Sequence, residues 1–366
     1  MLGALMGIVL RSTAIRVEVL PARLGDCILV ECPRGDGRPW RMLVDGGPPD
    51  TWDLLQARLR ELPDPVIDVA VVSHIDSDHV GGFLPFLQSP LADAVADFWF
   101  NGREHLPDKA ATKRSVAQGN SLMAELSASA RPRPWNLAFD GGPIETHPEH
   151  GFRVLRVPEG PTITVLSPTI KRLTILGAKW HETVERAKRG RAAAAAPDAP
   201  LPLVDLRKLA DEKTGRDASP ANGSSIALLV EYRGASVILG ADAFGNVLGA
   251  ALCHLARSRG TETLPVDAFK LPHHGSQNNI TTALIGIAPA RHYLVSTNGD
   301  TFRHPDDTAI ARTVLAGPPG ATLWFNYRNR RTKRWADGGL RRRHDYSVRF
   351  PDDDVAGSVL ELPERP

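Results

Sequence analysis

One stretch of ten residues constrains this chain more than any other. Residues 73–82 read Ser-His-Ile-Asp-Ser-Asp-His-Val-Gly-Gly. His74, Asp76, Asp78 and His79 place four groups able to hold a metal within six residues. The β-branched run 66–72 leads straight into them, and Pro63 and Pro65 precede it. That run predicts a buried strand. Gly81 and Gly82 then allow a tight turn before the apolar segment 83–87. The four groups therefore fall on a loop at the carboxyl end of a strand, where α/β sheets usually place their chemistry. A loop leaving a strand can aim residues i, i+2, i+4 and i+5 at one point. Imidazole suits zinc and other transition metals, whereas carboxylates also accept manganese or magnesium.

The rest of the sequence limits what surrounds this loop. A chain of 366 residues is long enough for two domains or one large α/β domain. Its formal net charge of +2 argues against a global field for nucleic acid, so any such contact must be local. Cys27, Cys32 and Cys253 form neither a zinc motif nor an even disulfide set, which favours a reducing, cytoplasmic setting. The apolar start, 1–10, lacks a basic leader and is too short to span a bilayer. It reads as an extension or strand, and no membrane association is expected. There is no Walker A loop, Rossmann glycine pattern or Gly-x-Ser-x-Gly elbow.

Alternation and turn residues predict strands at 15–20, 27–32 and 40–44, the last ending in Asp45-Gly46-Gly47. Helices are predicted at 52–62, 113–129, 250–257 and 306–315. Further strands are predicted at 97–100, 163–168, 226–232, 235–242, 266–271, 292–297 and 324–327. The segment 170–220 carries many Lys and Arg residues, an Ala run and a Pro-bearing stretch. It reads as an inserted helical lid or linker, with its cations either solvated or contacting nucleic acid or a protein partner. Asp242 closes the strand 235–242 and is the sole acid at that strand end. The strand 266–271 runs into Pro272-His273-His274-Gly275-Ser276. Such a pair can put one imidazole on a metal and the other near substrate.

These motifs together resemble the metallo-β-lactamase fold. Residues 74–79 are similar to its His-x-His-x-Asp-His signature, with Asp76 in place of the second histidine. The variant His-x-Asp-x-Asp-His-x-Gly-Gly and the string Pro-His-His-Gly-Ser resemble the soluble metallo-β-lactamase domain of the competence protein ComEC and its free-standing relatives. The likeness covers roughly 15–100 and 160–330. It implies a single domain over 1–366: a four-layer αββα sandwich with the helical insertion. It also implies a site in which His74 and Asp76 serve one metal, Asp78, His79 and His274 (His273 as alternate) serve a second, and Asp242 bridges them. Asp242 could instead act as a helix cap. Asp45 is expected behind the ligands. Asn222 stands where most members of the fold carry a first-site histidine, so that site is short of a ligand. Ser276 is expected beside the pair, and His304 near substrate phosphate or the leaving group.

One or two divalent ions are expected, zinc or manganese, with magnesium an option. The resemblance implies a metal-dependent phosphodiesterase or nuclease acting on DNA or RNA through a metal-bound hydroxide, with Asp78 orienting it. Alternatives are a hydrolase of small esters, phosphoesters or lactones, and a partner-activated, non-catalytic metal-binding module. Residues 324–350 are expected to form a basic C-terminal hairpin. Arg328, Arg330, Arg331, Lys333, Arg334, Arg341, Arg342 and Arg343 interleave there with Tyr327 and Trp335. That mixture suits phosphate contact with base stacking or a protected sheet edge. The oligomeric state is not encoded in any motif.

Overall fold

Alternation in the early strands is met by two different layers. In β1 (Thr13–Val19), β2 (Ile28–Cys32) and β3 (Trp40–Val44), side chains such as Val17, Ile28, Val30, Met42 and Val44 point into one apolar cluster. Leu29 and Leu43 point into another. A strand with both faces buried this way must lie between two layers. These three strands pair antiparallel, and β4 (Val69–Val71) and β5 (Phe98–Trp99) extend the sheet in parallel.

The computed structural model describes residues 12–35, 37–107, 117–127, 132–189, 205–353 and 356–365. The expected N-terminal element 1–10, the start of the helix expected at 113 and the Ala run 192–196 lie outside these residues. A second sheet contains β6 (Val154–Arg156), β7 (Thr162–Ser167), β8 (Ala227–Tyr232), β9 (Ala235–Leu239), β10 (Val266–Lys270), β11 (Ala290–Val295), β12 (Ala321–Phe325) and β13 (Tyr346–Arg349). It is antiparallel from β6 to β9 and parallel from β9 to β13. The final strand, β14 (Ser358–Pro363), returns to the first sheet and pairs with β1.

Three apolar clusters separate four layers. One lies between the sheets, with Ile15, Val71, Val165, Leu228 and Val237. One joins the first sheet to helices Trp52–Arg60, Phe83–Gln88, Ala117–Leu126, Ile170–Ala178 and Trp180–Arg189. The third joins the second sheet to helices Gly245–Ser258, Thr282–Ile287, Asp307–Ala316 and Gly338–His344. This is an αββα sandwich. Among the described residues, no helix is long and apolar enough to cross a membrane.

Two expectations need correction. The described part of 170–220 opens with two helices, and these are not a detached lid. Leu173, Leu176, Trp180 and Val184 recur at helical spacing and are buried in the first outer cluster, while Lys171, Lys179 and Arg186 are exposed. The C-terminal segment is not a hairpin either. β12 and β13 are parallel, as a crossover requires, and helices Arg330–Lys333 and Gly338–His344 join them. Asn329 accepts from the Arg331 and Thr332 amides, and Asp337 accepts from the Leu340 amide. Both act as N-caps. Trp335 is fully buried, so its ring is not offered for base stacking; Tyr327 is half-buried and its hydroxyl accepts from the Arg23 amide.

Candidate metal centre

The loop after β4 is held by an unusually close approach of two glycine turns. The Gly46 amide donates to the His79 carbonyl at 2.8 Å, and the Gly82 amide to the Gly47 carbonyl at 2.9 Å. A Cβ on Gly82 would lie 2.1 Å from the Gly46 oxygen. Gly82→Ala is therefore expected to lose about 1–3 kcal/mol of stability. Gly286→Ala, where a Cβ meets nothing within 4 Å, should be neutral or better. Equal urea midpoints for the two variants would refute this account of the loop.

Asp45 ends β3 with a positive φ of 60° and organises the loop from behind. It accepts the Ser73 amide and hydroxyl, both at 2.7 Å, and His79 Nδ1 at 2.8 Å. His74 Nδ1 lies 3.0 Å from the Ser73 hydroxyl, which is already donating to Asp45. The ring must therefore donate there. From the second sheet, His274 Nδ1 donates to the Ser296 carbonyl at 2.9 Å. His273 Nδ1 faces Asn279 Oδ1 at 2.9 Å and Asp217 Oδ2 at 3.1 Å. All four imidazoles thus engage a polar partner through the outer nitrogen and turn Nε2 inward.

What they face is Asp242. Its Oδ1 lies 3.4 Å from His79 Nε2 and 3.6 Å from His274 Nε2. Its Oδ2 lies 3.8 Å from His74 Nε2 and 3.7 Å from His273 Nε2. Ala241, the residue inserted between Gly240 and Asp242, is left-handed with φ 44°, and its carbonyl accepts the His273 amide at 2.8 Å. His273 and His274 are both left-handed as well. That geometry lets neighbouring rings diverge, with their planes 69° apart. Asp78 Oδ2 is 3.7 Å from His274 Nε2, and Asp76 Oδ2 is 3.8 Å from His74 Nε2.

Divalent cations fit this arrangement. His74 Nε2 and Asp242 Oδ1 are buried with no hydrogen-bond partner. The inward nitrogens of His79 and His274 converge to 3.3 Å of each other, as two ligands of one ion would. Asp26, Asp45, Asp76, Asp78, Asp217 and Asp242 each come within 4 Å of one of the four rings. Burial, then the nearby His79, pushes His74 down to about 4, so it is a neutral ligand near pH 7. Burial alone would raise Asp242, but the pull of His79, His273 and His274 holds it well below the carboxylate range. Burial opposes the charge on Asp217 too, yet bonding to His273 keeps it at about 2.

Three residues here carry no signal in the sequence reading. Asp26, just ahead of the strand expected at 27–32, pairs with the fully buried Lys270 and lies 3.4 Å from His274 Nδ1. A charge followed at once by an apolar strand was the available hint. Asp217 and Asn279 had none, because their partners come from distant segments. Asn222 lies in the outer ring: its Nδ2 donates to Asp217 Oδ2 at 2.7 Å. Ser276 bonds its own turn, accepting from the Asn278 amide, and touches none of the inward groups. His304 is near: its ring centroid is 5.4 Å from that of His273, and its Nδ1 is 3.4 Å from Asp306 Oδ2. Burial lowers its pKa. His105 is buried and accepts the Gly102 amide, away from this centre.

A cleft of about 210 Å³ opens over Asp76 and Asp78, walled by Leu24, Pro48, Arg186 and Phe302. Of the basic C-terminal residues, Arg328, Arg330, Lys333, Arg341, Arg342 and Arg343 are exposed. Arg331 and Arg334 are half-buried, and Arg334 pairs with Asp307 at 2.9 Å.

A search of curated proteins finds no match. Among solved structures, the metallo-beta-lactamase fold protein YhfI from Bacillus subtilis is 12% identical, covering 95% of this chain and 99% of that one with a TM-score of 0.42. A diphosphatase of the PhnP family is 12% identical, covering 93% and 85%, with a TM-score of 0.37. The subclass B3 metallo-beta-lactamase MEM-A1, from a soil metagenome library, is 11% identical over 70% of this chain and 76% of that one, at 0.30. Residues 20–95, which carry Asp26, Asp45, His74, Asp76, Asp78 and His79, match the sequence model of the metallo-beta-lactamase superfamily.

Proposed function

We propose that this chain is a metal-dependent hydrolase that cleaves phosphodiester bonds, with nucleic acid as its substrate class. One observation carries the reading: a single buried carboxylate, Asp242, with two inward imidazole nitrogens against each of its oxygens. His74, Asp76 and Asp242 would hold one divalent ion, and Asp78, His79, His274 and Asp242 a second. When bound, such ions supply Lewis-acid charge to the phosphoryl oxygens and lower the pKa of water.

The chain's own groups do the rest. Asp78 reaches both the inward histidines and the cleft, so its carboxylate can orient attacking water and accept a proton from it. Arg186 offers a guanidinium at the cleft wall for a phosphate oxygen. Phe302 lines the cleft, and His304, two residues on with its ring beside that of His273, would bond the leaving oxygen. At the start of the basic C-terminal segment, Asn329 Nδ2 donates to the Asn298 carbonyl at 2.8 Å and Arg331 packs against Gly299, in the loop that runs on to the cleft residues Thr301 and Phe302. An exposed cationic segment favours a polyanion over a lone small ester.

A second reading keeps the same centre but takes small esters or phosphoesters. The modest size and partly apolar wall of the cleft favour it. Single- and double-stranded DNA, RNA and small phosphate and carboxylate esters should be incubated with Mn²⁺, Mg²⁺ or Zn²⁺, beside Asp78→Ala. Nucleic-acid cleavage that falls at least about 100-fold in the variant is expected. Equal cleavage by both proteins overturns the proposal. Turnover of small esters alone, unaffected by added DNA, selects the second reading.

A further inference from the structure

The sequence leaves the His74/Asp76 position a ligand short, because Asn222 stands where a histidine is expected. The structure assigns that missing ligand to His273: we propose that the two adjacent histidines of the 272–275 turn each serve a different metal. This rests on the two-metal reading above and completes it.

The argument starts from direction. His273 Nε2 and His74 Nε2 both face Oδ2 of Asp242, at 3.7 and 3.8 Å, whereas His79 and His274 face Oδ1. The pair is thus split across the carboxylate rather than stacked on one side of it. Left-handed backbone at both residues, φ 49° and 55°, is what separates the rings. Each position then has the same composition: His74, Asp76, His273 and Oδ2, or Asp78, His79, His274 and Oδ1.

His273 is also held as a metal ligand is held. Its outer nitrogen is engaged by Asn279 Oδ1 and by Asp217 Oδ2, and Asp217 is itself fixed by Asn222 Nδ2 and Asn279 Nδ2. A carboxylate behind an imidazole fixes the tautomer that presents Nε2 and raises its basicity. Asp45 performs the same service for His79. Asn222 turns its Nδ2 to Asp217, and that nitrogen also lies 3.4 Å from His273 Nδ1. It is recruited to brace the carboxylate that braces the histidine substituting for it.

The test is metal content by elemental mass spectrometry after reconstitution of the full chain with Mn²⁺ and gel filtration. Wild type should hold two equivalents and His273→Ala one, with far-ultraviolet circular dichroism unchanged. A second variant, His273→Cys, is read with Co²⁺. A ligating thiolate gives a near-ultraviolet charge-transfer band that wild type lacks, and this readout stands even if the alanine variant misfolds. Two equivalents in His273→Ala, or Co²⁺ bound to His273→Cys without the band, overturns the assignment while leaving the two-metal reading intact. A wild-type protein that takes up one equivalent or fewer instead removes the two-metal reading itself.

Discussion

Asp242→Ala is expected to lose both metal equivalents and to lower hydrolysis by about 10³-fold or more, the scale on which removal of a group shared by a whole catalytic unit registers. The reason is its position. Among the described residues, no other side chain faces all four inward imidazoles, and each of its oxygens serves a different pair. Asp78→Ala removes a group from one side, so it should keep one equivalent. The comparison therefore separates a bridging carboxylate from an ordinary ligand. Metal content is measured beside the rate on whichever substrate the wild type cleaves best. Two retained equivalents in Asp242→Ala, or a rate within tenfold of wild type, would show that Asp242 does not bridge the ions; it does not cap the following helix, whose N-cap is Phe244.

Lys270→Met is expected to cost about 3–5 kcal/mol, the usual penalty for leaving one charge of a buried pair unmatched. Lys270 lies on β10, fully buried, with its ammonium on Asp26, which is itself buried. Burial disfavours the Asp26 charge, but the Lys270 charge and then His274 reverse this and hold its carboxyl far below the usual range. Taking the ammonium away strands a carboxylate that also lies 3.4 Å from His274 Nδ1. The double variant Lys270→Met/Asp26→Leu removes both charges and should recover most of the loss. Urea unfolding of the three proteins gives the cycle. A single-variant loss under about 1 kcal/mol, or no recovery in the double variant, contradicts the assignment of this pair as a matched buried unit.

The legible parts of this fold were those written locally. Strands β1 to β3 follow from alternation within five to seven residues, and the loop at 74–79 is readable because its ligands share one turn of chain. The C-terminal segment was misread for a physical reason. Its cations drew attention to charge, while Asn329 and Asp337, three residues ahead of Thr332 and Leu340, were cap signals. Likewise, Leu173, Leu176, Trp180 and Val184 form an apolar stripe that the surrounding Lys and Arg disguised. Asp217 and Asn279 were out of reach altogether. Each acts on His273 through a contact that only the tertiary fold creates, and neither residue type is unusual where it stands. The pairing of Pro-His-His-Gly was legible as a site but not as a division of labour, because that depends on two left-handed backbone conformations.

The return of β14 to β1 bears on how the chain is made. Thr13 pairs with Pro363 and Val19 with Ser358, so the β1 edge of the first sheet stays open until residues 358–363 have been made. A ribosome releasing this chain exposes β1, with Ile15 and Val17 destined for full burial, through the emergence of the entire second sheet. Contacts this distant are slow to close, and an unpaired strand invites other chains in the meantime. Half of the metal-ligand loops are thus complete early, on a sheet that is not. The last strand acts as a latch, and the yield of folded protein should be governed more by how quickly it engages than by the stability of either half.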